Sequence, residues 1–67
     1  MSSKFTVKYK KGDYWTDLLP GLTGFYDWAL KVSFVVWKKN GYLVSPSDMR
    51  IYEVFDDGNG NFLERNI

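Results

Sequence analysis

The chain has 67 residues, 45% of them hydrophobic and 19% aromatic, and a net charge of +1. That length suits one domain over 1–67, and a chain of about 60 residues buries only ~60% of its unfolded surface, so stability is expected to be marginal without extra help. Cys and His are both absent, which excludes disulfides and ordinary zinc sites, and no metal or other cofactor is expected.

No apolar run approaches the ~20 residues that span a bilayer, and no signal peptide opens the chain, so the expectation is a cytoplasmic protein without a membrane partner. Charge is spread unevenly. Residues 1–39 hold seven Lys against Asp13, Asp17 and Asp27 (+4), and residues 40–67 hold Arg50 and Arg65 against Asp48, Glu53, Asp56, Asp57 and Glu64 (−3).

Lys4–Lys11, KFTVKYKK, alternates Phe5, Val7 and Tyr9 on one side with Lys4, Thr6, Lys8 and Lys10 on the other. That is a half-buried strand with a basic outer face, read as a solvated edge. Gly12-Asp13 is a turn. Tyr14–Leu19 reads as a returning strand, with Tyr14 opposite Tyr9 and Thr16 opposite Val7, or as one helical turn capped by Asp13. Pro20-Gly21 predicts a type II turn, because Pro fixes φ and Gly supplies the positive φ.

Thr23–Gly41, TGFYDWALKVSFVVWKKNG, lies within the longest stretch without proline, 21–45, and predicts a helix over about 23–40. Phe25, Trp28, Ala29, Val32, Val35 and Val36 form one apolar stripe at the helical period. Thr23 suits the N-cap and Asn40-Gly41 the C-terminus, with Lys38 and Lys39 in the last turn. The alternative is all-β: VSFVVW is rich in β-formers, and Asn40-Gly41 is the strongest two-residue hairpin signal, leading into Tyr42-Leu43-Val44.

Ser45–Asp48 is a polar crossover in which Pro46 stops any helix. Met49–Phe55 is a strand, Asp56–Asn61 (DDGNGN) a hairpin loop, and Phe62–Ile67 the return strand. Pairing Phe55 with Leu63, Glu53 with Arg65 and Ile51 with Ile67 avoids setting Glu53 against Glu64. The expected fold is α+β, in the order ββαββ, with one helix on a small antiparallel sheet.

Three constellations bear on function. Tyr26, Leu30, Phe34 and Trp37 fall on a second stripe that one sheet cannot cover, and interface cores favour such aromatics, so they are the candidate protein-binding residues. The competing reading has Tyr14–Leu19 or Tyr42–Val44 folding over them. Lys4, Lys8, Lys10 and Lys11 are the alternative candidates, for phosphate contacts in a nucleic-acid-binding domain, with the interleaved aromatics pointing to the other side. The Asp/Gly/Asn loop fails the EF-hand pattern, because the positions that need Gly and Glu hold Phe62 and the end of the chain.

Catalysis lacks its usual residues, so the chain is not expected to be an enzyme. Its size, dense aromatics and lack of Cys and His resemble short proteins of bacteriophages and mobile elements, a likeness of composition carried by no motif. The expected function is a non-catalytic protein-binding module, which this likeness would make a stoichiometric inhibitor or modulator of a host protein. The alternatives are the nucleic-acid-binding domain and a structural homodimer.

Overall fold

The computed structural model describes residues 4–67. The fold is a small mixed α/β domain with one helix and a curled antiparallel sheet of four strands. In chain order the elements are β1 (Lys4–Lys11), β2 (Tyr14–Asp17), α1 (Tyr26–Ser33), β3 (Trp37–Lys39), β4 (Tyr42–Val44), a single 3-10 turn (Pro46–Asp48), β5 (Met49–Asp56) and β6 (Phe62–Asn66). The main sheet runs β2-β1-β5-β6, and β3-β4 is a separate hairpin. The expected ββαββ order is therefore interrupted by an additional hairpin after the helix.

That hairpin is the main correction to the sequence reading. The helix ends at Ser33, well short of 40. Ser33 Oγ donates back to the Leu30 carbonyl (2.8 Å), and the N–H groups of Phe34 and Val35 bond to Lys31 and Val32 in a tightened last turn. The Val32 carbonyl also accepts the Trp37 indole N–H at 3.0 Å, so one of the helix's orphan acceptors is satisfied by a residue beyond it. Val35 lies in a bend and Val36 leads into β3. Asn40 (φ 52) and Gly41 (φ 84) both adopt positive φ, as a type I′ turn requires. The all-β alternative, a strand over 31–39 turning at Asn40-Gly41, has the turn right, but the strand is only Trp37–Lys39 and Tyr26–Ser33 is helical.

The start of the helix differs too. Its N-cap is Phe25, with no side-chain hydrogen bond, rather than Thr23. Gly24 precedes it because Trp28 lies against its backbone: a Cβ there would sit 2.9 Å from Trp28 Cε3. Gly24 also exchanges two backbone hydrogen bonds with Phe5, tying the helix entry to β1. Before that, Leu22 N–H bonds to the Leu19 carbonyl and Gly21 has φ 80, the predicted turn at Pro20-Gly21.

The core lies between the sheet and α1, built from Val7, Tyr9, Leu18, Ala29, Val32, Val44 and Met49, with Trp28, Trp37 and Ile51 packed against it. The β3-β4 hairpin closes one end of this layer through Trp37 and Val44. Asn40 Nδ2 donates to the Tyr9 hydroxyl at 3.3 Å, and the Tyr42 ring lies beside Tyr9. Phe25, Val35 and Val36, expected in the core stripe, are exposed, because the helix stops before it can turn the valines inward.

Two registers can be compared with expectation. β5 and β6 pair as Phe55↔Leu63 and Glu53↔Arg65, and Ile67 N–H bonds to Ile51, as predicted. β1 and β2 pair as Tyr9↔Thr16 and Lys11↔Tyr14, two residues away from the expected register. Gly12 takes φ 63 at the first position of a two-residue turn, so the hairpin closes tighter than assumed. Slipping by two keeps every side chain on its predicted face.

Candidate functional site

The four predicted protein-binding residues do not form one exposed stripe. Tyr26 is partly exposed and stands edge-on to Phe5, with ring centroids 5.4 Å apart. Leu30 is half-buried. Trp37 belongs to β3 and packs against the core, its indole N–H held by Val32. Phe34 alone is widely open, at 71% exposure, at the C-terminal end of α1.

Other exposed apolar residues follow Phe34 in the chain. Val35 and Val36 follow it into the hairpin, and both are exposed. In the β3-β4 ladder Trp37 opposes Val44, and Lys38 opposes Leu43. Alternation turns Trp37 and Val44 to the core, and Lys38 and Leu43 to solvent. Leu43 is 71% exposed. Phe34, Val35 and Val36 are thus consecutive exposed apolar residues, and Leu43 is exposed on the hairpin opposite Lys38. Phe25 is another open aromatic, at the opposite end of α1.

The predicted lysines have unequal fates. β1 is an inner strand of the sheet, not an edge. Lys8 lies in the middle of the face away from the helix, its side chain only 17% exposed. Its ammonium contacts Glu64 at 2.8 Å and Asp17 at 3.3 Å, and lies 5.4 Å from the Tyr52 ring centroid. The hydrogen bond that Lys8 donates to Glu64, outweighing partial burial and assisted by Asp17, raises the Lys8 pKa above its ordinary value. Lys4, Lys10 and Lys11 are exposed and form no ion pair among the described residues.

The aromatics interleaved in β1 point to the other side, as expected, but this second sheet face receives aromatics from neighbouring strands. Alternation in β1 does turn Phe5, Val7 and Tyr9 to the core, but neighbouring strands supply Trp15 and Tyr52 to the face of Lys8 and Lys10. Lys10 opposes Trp15, and Lys8 opposes Arg50, whose guanidinium lies 5.0 Å from the Trp15 ring centroid. β1 alone could not have revealed this, because it needs the pairing of three strands.

The segment 18–24 covers one part of that face. Thr6 is buried beneath it, its hydroxyl donating to the Leu22 carbonyl at 3.3 Å. A cavity of about 230 Å³ remains between Leu22 and the strands, lined also by Asp17, Val54, Phe62 and Glu64. That is below the ~300 Å³ at which ligand pockets usually begin. Among the described residues no three His, Cys, Asp or Glu side chains come together as a metal-ligand group. In the Asp56–Asn61 loop, Asp57 Oδ1 accepts from the N–H groups of Asn59 (2.7 Å) and Asn61 (3.3 Å), which engages the carboxylate in shaping the turn.

Among the described residues no helix is long and apolar enough to cross a membrane. No protein-family model matches the chain, and neither the curated proteins nor the solved structures searched give a significant match.

Proposed function

We propose that the chain is a non-catalytic protein-binding module, of the kind that holds or blocks one partner. It engages that partner through the apolar surface of Phe34, Val35, Val36 and Leu43 rather than through the whole Tyr26–Trp37 stripe. The supporting observation is that Phe34 and Leu43 lie mostly in solvent, although the helix end and hairpin beneath them are pinned by Trp37 and Val44. Large exposed apolar side chains on a rigid support suit the centre of an interface. Lys38 beside them, and Lys31 on the exposed side of α1, favour a partner with an acidic rim.

The test is a titration of a captured and purified partner against the wild-type chain and Phe34→Asp. The expected result is a loss of affinity of about 30-fold or more, since a central anchor is worth ~2 kcal/mol or above. Equal affinity would remove this surface from the interface.

One observation favours a second reading. Trp15, Tyr52, Lys10 and Arg50 share one sheet face, the combination that binds single-stranded nucleic acid by stacking and phosphate contact. The neutralisation of Lys8 by Asp17 and Glu64 weighs against it. On this reading, oligonucleotide affinity falls steeply with salt, with a log–log slope of about −0.7 per phosphate neutralised. No binding of single-stranded DNA or RNA at low salt would dispose of it.

A further inference from the structure

β6 is the outermost strand beyond β5, and each of its residues, Phe62–Asn66, is exposed. The phase of its hydrogen bonding is set by two bonds flanking the ladder: Asp57 N–H to the Asn61 carbonyl (3.0 Å) and Ile67 N–H to the Ile51 carbonyl (3.2 Å). Bonded and non-bonded pairs alternate in an antiparallel ladder, so Leu63 and Arg65 turn their backbone groups toward β5. Phe62, Glu64 and Asn66 turn theirs outward. The strand contains no proline and no lysine, two of the usual devices that blunt an edge.

A second copy of β6 fits this edge poorly. Across a two-fold axis, full-length antiparallel overlap sets Glu64 against Glu64. A slip by two residues in one direction sets Arg65 against Arg65, and in the other it leaves only Phe62–Glu64 overlapped. Like charges directly opposite are destabilising. Glu64 also belongs to a group in which Lys8 serves two carboxylates, leaving one surplus negative charge. Arg65, by contrast, is already satisfied by Glu53 at 2.6 Å.

We infer that β6 is a site of strand addition for an extended, antiparallel segment of another protein, carrying Lys or Arg opposite Glu64 and apolar residues opposite Leu63 and Phe62. Backbone hydrogen bonds from the free edge supply the adhesion, and the side chains supply selectivity. The cavity lined by Asp17, Leu22, Val54, Phe62 and Glu64 lies on the same sheet face as the incoming basic side chain. This inference rests on the protein-binding reading but concerns a surface separate from Phe34.

The experiment uses the full chain, labelled with nitrogen-15, and the end-blocked peptide Thr-Glu-Lys-Val-Ile, whose Lys would oppose Glu64. Saturation should slow hydrogen exchange at the amides of Phe62, Glu64 and Asn66 and leave Leu63 and Arg65 nearly unchanged, since those two already bond to β5. Methylating the backbone nitrogen of the peptide's Lys should abolish binding. Glu64→Lys should weaken the Lys peptide about threefold to fivefold and favour a version with Glu in that place. Phe34→Asp should bind the peptide like wild type, so failure at β6 alongside a Phe34-dependent partner refutes only this inference. The inference is overturned by no binding at about 1 mM peptide, by protection without alternation, by equal binding of the methylated peptide, or by a dimer that protects the same amides without peptide.

Discussion

At the scale of single residues, Lys8 shows how a sequence-level charge changes meaning once strands pair. In β1 it is one of a row of lysines; in the sheet it is the cation between Asp17 and Glu64. Lys8→Met should cost about 1 kcal/mol in urea unfolding, because the two acids are partly exposed and screened. Lys8 has its pKa raised in the folded state, so its contribution is fully present below about pH 10 and fades as pH rises through the raised value. A neutral effect of Lys8→Met would mean the ion pairs do not hold the sheet together. Asp57 behaves in the opposite sense. The Asn59 N–H, more than any other group, lowers its pKa from 3.8, so the loop is supported above the ordinary carboxylate range and loosens as pH falls through the lowered value. The Asn59 amide proton should therefore titrate with a midpoint below 3.8 in an NMR pH series. A midpoint at or above that value would contradict the hydrogen bond.

At the scale of elements, the decisive contest is between helix and hairpin over residues 34–41. Gly41 has φ 84, a conformation that a β-branched residue adopts only at a cost. Gly41→Val should destabilise the fold by about 1–3 kcal/mol and shift Trp37 emission to the red as β3 and β4 separate. An unchanged spectrum would show that Trp37 is held by its bond to Val32 alone. The sequence contained both readings of this segment. The apolar spacing of Trp28, Ala29 and Val32 marked the helix correctly, whereas Asn40-Gly41 suited both a helix end and the hairpin turn that it forms. A strict helical period carried the stripe too far, because periodicity cannot register that the Val32 carbonyl is taken by Trp37. β1, the turn at Pro20-Gly21 and the β5-β6 register were legible from alternation, turn chemistry and charge. The β1-β2 register was misread although Lys8 opposite Asp17 marks it, because Lys10 on the same side of β1 pairs equally well with Asp13 in the expected one.

At the scale of the whole molecule, the fold spends its interior on one face of the sheet and leaves three surfaces open: the Phe34–Leu43 patch, the Trp15–Arg50 face and the β6 edge. Of the candidate site, the sequence disclosed Phe34 and the excess of apolar groups around it. It could not place Leu43, which reaches the patch only through pairing with Lys38 across the Asn40-Gly41 turn. Nor could it remove Trp37, whose indole had no visible reason to turn inward until its acceptor was known. The central claim is that the Phe34 surface is surplus to folding and held ready for a partner. Equilibrium urea unfolding of Phe34→Asp tests this most directly. The account predicts a stability within about 0.5 kcal/mol of wild type, as for an exposed position. A loss of several kcal/mol would place Phe34 in the core and contradict it.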